Sequence, residues 1–334
     1  MSQTAQNPLP GVPPIESPLF ENWVASADLS PEEEQVARDL NENGFAVIDF
    51  PVDNFDAMAD ATIADLVKEP QFADIAEMGS GKPGKPGGRL TNHTDNDNVR
   101  AIAANGKILD LLSKIYGRRA FPFQTLNFAM GTQQHYHSDS NHFSSVPERF
   151  MVGVWVALED IGPDQGPVIY YPGTHKWPIL YYDEIGLAVG KVAKRKTQDI
   201  FHDAWEAMVD VSGIEPAYFT AKKGQALIWA ANLLHGGSAQ ADATKTRWSQ
   251  VTHYYFDDCM YCVPMRSNPR MNRMFVREGV TDIASGKVVE NRYYGRPAAE
   301  ELPAPPTISS AIRYKVDRYL RRRKLKRYAG KLAS

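Results

Sequence analysis

The chain has 334 residues and a mass of 37.3 kDa, long enough to bury a large core without disulfide or metal staples. Its 43% hydrophobic and 23% charged residues are ordinary globular values and exclude a disordered or fibrous protein. No apolar run approaches the ~18 residues of a membrane-crossing helix, the first residues show no secretory signal, and two cysteines cannot build a disulfide framework. A cytoplasmic protein is expected.

The formal net charge of −3 is unevenly spread: residues 313–334 carry ten Lys or Arg against the single acid Asp317, which leaves −12 on the rest. An acidic body is a poor nucleic-acid surface, so no nucleic-acid partner is expected. Within the tail, Ile312, Val316, Tyr319 and Leu320 fall at i, i+4, i+7 and i+8, one apolar stripe on a basic helix. Such a helix either frays in solvent or lies on an anionic surface, so peripheral contact with the inner face of a membrane through 313–334 is one expectation.

Residues 1–29 are Pro-rich and expected to be irregular. Ser30-Pro31-Glu32-Glu33 then starts a helix, with Ser at the N-cap, Pro at the first position and Glu closing a capping box; Gly44 should end it. Residues 45–50 (FAVIDF) make a short buried strand stopped by Pro51. Ala59, Ile63, Leu66 and Val67 give a second amphipathic helix, and Ile108, Leu111, Leu112 and Ile115 a third, despite Gly106. Between these two, residues 79–98 are rich in Gly, Pro and Asn with no periodicity, the pattern of a lid or a disordered insertion.

After about residue 119 short β-rich runs follow, at 121–130, 150–158, 168–171, 225–234 and 248–256, separated by turn signals such as GPDQGP (162–167). A helical, basic insertion at about 176–215 interrupts them. Helices first and then many short strands predict an α+β chain built on a β-sandwich or jelly roll. The expected organisation is a main domain of 30–295, helical over 30–118 and jelly-roll over about 119–260, then a Pro-rich linker (296–310) and the basic tail (311–334).

The informative segment is Gln133-Gln134-His135-Tyr136-His137-Ser138-Asp139. His137 and Asp139 stand at i and i+2, so on extended backbone both side chains leave the same face and can share one metal. Almost a hundred residues later His235 ends the run QALIWAANLL and precedes Gly236-Gly237; twelve residues beyond it Arg247 opens the last strand. Two His and one carboxylate on one side of an octahedron leave three positions open, the facial arrangement of non-haem Fe(II) oxygenases. An arginine fork near such a site can clamp a co-substrate carboxylate bidentately.

With these motifs the sequence resembles the phytanoyl-CoA dioxygenase family of Fe(II)/2-oxoglutarate oxygenases. The resemblance spans roughly residues 35–260 and is carried by HSD (137–139), by MVGVWVALEDIGPDQGPVIYYPGTHK (151–176), and by His235 with Arg247. It implies a double-stranded β-helix, related to jelly rolls and cupins, with flanking N-terminal helices. It implies that His137, Asp139 and His235 bind Fe(2+), that Arg247 binds the distal carboxylate of 2-oxoglutarate, and that Trp155 stands beside that co-substrate. Ser238, Gln124 and Asn127 are further candidates for co-substrate contact. The reaction so implied uses O2 to hydroxylate an organic substrate, small, lipid-linked or glycan, with succinate and CO2 as co-products. Asp139 favours hydroxylation over halogenation, since related halogenases resemble this pattern with a small residue in place of the carboxylate.

Other readings compete. His135 also has i+2 spacing to His137 and could form a His–His pair, while His142 could be a substrate contact. Arg247, Ser249, Val251, His253 and Tyr255 share one face by period two, so His253 and Tyr255 line a pocket or pack as core polar groups. His175 reads as turn structure, and Cys259-x-x-Cys262, lacking two further zinc ligands, as free thiols. Lys191, Lys194, Arg195 and Lys196 make a basic cluster that would suit a phosphate-bearing substrate or a solvated helix face. Two different classes of function stay open: a non-catalytic jelly-roll module that docks on a membrane or an acidic partner through the tail, and a metal enzyme of other chemistry on the same ligands.

Overall fold

In the computed structural model, which describes residues 8–78, 89–187 and 196–298, the first long helix forms where the capping box requires it. After α1 (Phe20–Val24), α2 spans Pro31–Asn43, with the Ser30 hydroxyl accepting from the Glu33 amide at 3.2 Å and the Glu33 carboxylate accepting from the Ser30 amide at 2.8 Å. Gly44 closes α2 at φ +84°, and a Cβ there would run into the His175 imidazole. Next come β1 (Phe45–Asp49), α3 (Phe55–Leu66), α4 (Ala73–Met78), β2 (Arg89–Thr91), α5 (Asp97–Ala103) and α6 (Gly106–Tyr116). α3 buries Phe55, Ala59, Thr62 and Leu66, one stripe at helical spacing. Gly106 is tolerated in α6 because it is the first helical residue, directly after Asn105, whose side chain caps the Ile108 amide.

The strand-rich half contains β3 (Ala120–Phe128), β4 (His137–Ser138), β5 (Ser144–Val146), β6 (Met151–Ala157), β7 (Val168–Tyr170), α7 (Thr197–Ser212), β8 (Ala217–Phe219), β9 (Gln225–Ala230), β10 (Leu234–Gly237), β11 (Ser249–Phe256) and β12 (Met260–Cys262). Six strands form one sheet in the order β1-β9-β6-β11-β3-β2, four form a second in the order β4-β10-β7-β8, and β12 pairs with β5. All these pairings are antiparallel. β6 shows how the layers stack. Val152, Val154 and Val156 join a core with Leu40, Ile108 and Leu112 of the helices, whereas Trp155 and Ala157 join Val168, Tyr170 and Phe219 of the smaller sheet. A strand covered on both faces reads as the continuous apolar run MVGVWVA, without polar alternation.

Several expectations are corrected. The strand expected at 45–50 forms as β1, and β2, which was not expected, joins it as the other edge of the large sheet. Residues 89–98 are not structureless: β2 pairs with β3, and Asn96 caps α5 by accepting from the Asn98 and Val99 amides, whereas 79–88 lie outside the described residues. The Pro-rich segment is anchored through fully buried Ile15. The run QALIWAANLL is two strands in two different sheets. It breaks at residues 231–233, where the Ala231 carbonyl accepts from the Ser140 backbone amide at 2.9 Å and Nδ2 of Asn232 donates to the Trp177 carbonyl at 2.7 Å.

The chain divides into two units, Met1–Gly295 and Arg296–Ser334, and the elements above belong to the first. The basic tail, most of the linker, and Lys191, Lys194 and Arg195 lie outside the described residues; Lys196 is the N-cap position of α7. No helix among the described residues is long and apolar enough to cross a membrane.

His175 ties these layers together. Its ring donates from Nε2 to the Asn41 carbonyl at 3.1 Å, and burial pushes its pKa down from 6.5 to about 4. Between those values the unfolded chain binds a proton that the fold refuses, so the stability this group contributes is present above pH 6.5 and lost as pH falls toward 4. The expected slope is ~1.4 kcal/mol per pH unit within that window. Urea unfolding at pH 7 and pH 5 should show a smaller loss for His175→Gln than for the wild type. Equal losses would mean that the proton is taken up elsewhere.

Candidate metal centre

β4 and β10 pair with His137 directly opposite His235, which places the two imidazoles side by side at the β4 edge of the small sheet. Asp139 follows two residues after His137, and one ligand atom from each of the three, all buried, lies within 4.8 Å of the others. His137 Nε2 is 3.7 Å from Asp139 Oδ1, and His235 Nε2 is 3.6 Å from Oδ2. Each ring is oriented by its own strand: Nδ1 of His137 donates to the His135 carbonyl and Nδ1 of His235 to the Leu233 carbonyl, both at 3.0 Å. A ring that spends its proton at Nδ1 turns the Nε2 lone pair inward, the arrangement a metal needs. Burial, and then the neighbouring His235, push the His137 pKa down to about 3, so this ring is neutral. Burial raises the Asp139 pKa, but His235, His253 and His137 outweigh it and hold the carboxyl well below the usual range. Imidazole nitrogen and ionised carboxylate are the protonation states in which these groups ligate.

The three groups open into a cavity of about 290 Å³ that is also lined by Gln124, Trp155 and Arg247. Arg247 is only 3% exposed, donates from Nη1 to the Gly166 carbonyl at 2.5 Å, and lies 5.9 Å from the Trp155 ring. No carboxylate among the described residues is within ion-pairing distance of it. Burial alone pulls its pKa down to about 10, which leaves it cationic at neutral pH. A buried cation without a counter-ion is costly, and an anion in this cavity would offset that cost.

A family model for phytanoyl-CoA dioxygenase (PhyH) matches residues 40–246. The chain belongs to this family. It is thereby a non-haem Fe(II)- and 2-oxoglutarate-dependent oxygenase, with O2 as oxidant. Peroxisomal phytanoyl-CoA dioxygenase of Rattus norvegicus is 23% identical over 264 residues, covering 70% of this chain and 75% of the rat protein. Among solved structures, the non-heme alpha ketoglutarate dependent carbocyclase SnoK from nogalamycin biosynthesis aligns with a TM-score of 0.51 at 14% identity, over 70% of this chain and 87% of its own. EctD from S. alaskensis, in its apoform, aligns at 0.50 and 18% identity, over 73% and 81%. At such identities the likeness is one of fold.

The remaining sequence candidates of this oxygenase separate cleanly. Trp155 and Gln124 line the cavity, and Oε1 of Gln124 meets Nδ1 of His253 at 3.0 Å. Asn127 is fully buried but outside the lining; Gln124, Leu126 and Phe128 take the cavity side of β3, and the odd position points away. Ser238 is also outside it, its hydroxyl donating to the Pro167 carbonyl at 2.7 Å. His135 is turned to α7, bonded to Glu206 at 2.7 Å and stacked on His202, and only its carbonyl serves the site. His142 lines the cavity. Cys259 and Cys262 are free and buried, and burial lifts both thiols to about 12.

Two residues next to Asp139 were harder to foresee. His253 places Nε2 3.3 Å from Asp139 Oδ2, and its period-two spacing from Arg247 was the signal for it. Trp229 donates from Nε1 to the same oxygen at 2.9 Å, and nothing in the run QALIWAANLL sets it apart from a core tryptophan.

The unpaired Arg247 yields a direct test. Arg247→Met should hold the Tm of the ligand-free protein or raise it by up to about 4 °C, because it removes an uncompensated buried charge. A clear fall in Tm by differential scanning calorimetry would instead make Arg247 a structural tie to Gly166.

Proposed function

We propose that this oxygenase hydroxylates a small organic substrate, with His137, Asp139 and His235 holding Fe(II) and Arg247 holding the distal carboxylate of 2-oxoglutarate beside Trp155. The observation that carries the reading is the convergence of two orientation-locked imidazoles and one carboxylate on a cavity whose wall holds an unpaired arginine. The donor set fits the ion: two nitrogens and one oxygen suit Fe(II) and leave the remaining positions for co-substrate and O2. The two stacked antiparallel sheets serve as a double-stranded β-helix whose inner end carries the site.

When bound, Fe(II) supplies O2 activation coupled to the conversion of 2-oxoglutarate to succinate and CO2, with the second oxygen atom going to a substrate C–H bond. The chain's own residues do the rest. The carbonyls of His135 and Leu233 fix the imidazole planes, and Arg247 with Trp155 sets the direction in which the co-substrate lies. The aromatic walls of Trp155, Trp229 and Phe143 keep bulk water from the reacting centre. Asp139 fills the place that a halide would otherwise take, which favours hydroxylation. Substrate enters past Arg89 and Thr91 of β2 and Gln198 of α7, which line the same cavity. A lipid-linked or glycan substrate would insert only its reacting end into a space of this size.

Anaerobic titration with Fe(II) and then 2-oxoglutarate should produce a weak visible charge-transfer band, and addition of O2 should release succinate. Asp139→Ala should abolish both while the protein stays folded. Arg247→Ala should weaken 2-oxoglutarate binding by roughly 10–100-fold through loss of a charge-assisted contact. Iron bound without any band would overturn the co-substrate assignment and favour another metal chemistry. No uptake of iron would favour a binding module.

A further inference from the structure

Across four strands of the large sheet, four residues stand in one row. Trp229 of β9 pairs with Gly153 of β6, Gly153 with His253 of β11, and His253 with Gln124 of β3. Three of the four, Trp229, His253 and Gln124, line the cavity. The fourth has no side chain, and its absence is what the row depends on. A Cβ at Gly153 would fall 2.5 Å from both Cζ2 and Nε1 of Trp229. The indole therefore lies across the space that any other residue at 153 would fill, and from there it reaches Asp139, the residue just past the end of β4.

Trp229 touches two of the three metal-site residues in different ways. Its Nε1–H donates to Asp139 Oδ2 at 2.9 Å, and its ring packs on His235 with centroids 4.5 Å apart. His253 meets the same Oδ2 from the other side at 3.3 Å. Oδ2, which also lies 3.6 Å from His235 Nε2, thus carries the indole hydrogen bond, whereas Oδ1, 3.7 Å from His137 Nε2, is free of Trp229. An indole N–H donates only and cannot be swapped for an acceptor, which makes this contact one-way.

We infer that Trp229, seated by Gly153, is a positioning residue that holds Asp139 as a monodentate metal ligand through Oδ1 and keeps His235 in its ligating plane. The inference rests on the Fe(II)-site reading above. Outer contacts of this kind are worth about 10–100-fold in metal affinity.

The test measures the dissociation constant of Fe(II) by anaerobic competition with a chromophoric chelator, and Tm, on the full chain. Trp229→Phe keeps an aromatic ring against His235 but loses the N–H, and should weaken Fe(II) binding about 10–100-fold. Trp205→Phe, an equal trimming of a buried tryptophan on α7, should leave affinity unchanged. Gly153→Ala retains every polar group yet displaces the indole, and should lower both Tm and affinity. In the double variant Gly153→Ala/Trp229→Phe the crowding is relieved, so Tm should recover above that of Gly153→Ala while affinity stays at the Trp229→Phe level. That split is one which a purely structural role would not produce. Binding by Trp229→Phe within twofold of wild type, with Asp139→Ala still abolishing it, would overturn the positioning role and leave the iron site standing. If Trp229→Phe does not fold, unchanged affinity in Gly153→Ala overturns it equally. Failure of the wild type to take up Fe(II) would overturn both.

Discussion

The site depends on a very short stretch of pairing, the two-residue ladder between β4 and β10 that sets His137 opposite His235. Two residues of sheet are little to hold two candidate ligands, and the structure reinforces them from both sides. β10 is also paired to β7 through His235 and Tyr170, and the Ser138 hydroxyl, at the end of β4, donates to the Asn232 side chain at 2.9 Å. Asn232 in turn donates to the carbonyl of Trp177, beyond the turn that contains His175. The break between β9 and β10 is therefore not an interruption of a strand. It is the crossing that lets one run of sequence supply Trp229 to the large sheet and His235 to the small one, with both rings arriving at Asp139.

Burial of polar groups explains where the remaining selectivity lies. A fold normally pairs the charges it buries, and this one pairs the Arg149 guanidinium with Glu16. Around the cavity it does otherwise. The Nε of Arg247 and the indole N–H of Trp155 have no partner among the described residues, and both belong to side chains that line the cavity. Leaving two donors unpaired on one wall costs stability, and it is tolerated where a ligand repays it.

The sequence made the candidate ligands His137 and Asp139 legible because their pattern is local: an i, i+2 pair on extended backbone needs no knowledge of the fold. The capping box at Ser30 and the stop at Gly44 were legible for the same reason, since caps are decided by a few adjacent residues. What could not be read was set by pairing between distant strands. Trp229 and Gly153 acquire their meaning only when β9 and β6 are neighbours in one register. Asn127 and Gln124 looked equivalent as co-substrate contacts, yet three positions apart on a strand they face opposite ways. β2 escaped notice because a three-residue edge strand inside a Gly- and Pro-rich stretch has too few residues to show a period.

Charge balance links the two halves of the proposed site. Asp139 and Arg247 are the buried groups of fixed and opposite charge in the cavity, and together they cancel. A divalent cation alone would leave the interior with two uncompensated positive charges, and a dianionic co-substrate alone with two negative ones. Loading both would bring the sum back to zero. In a low-dielectric cavity each ligand must therefore strengthen the binding of the other, and by linkage the coupling is equal in both directions. The metal residues and Arg247 come from different strands, and the cavity joins them by charge without any contact between their side chains.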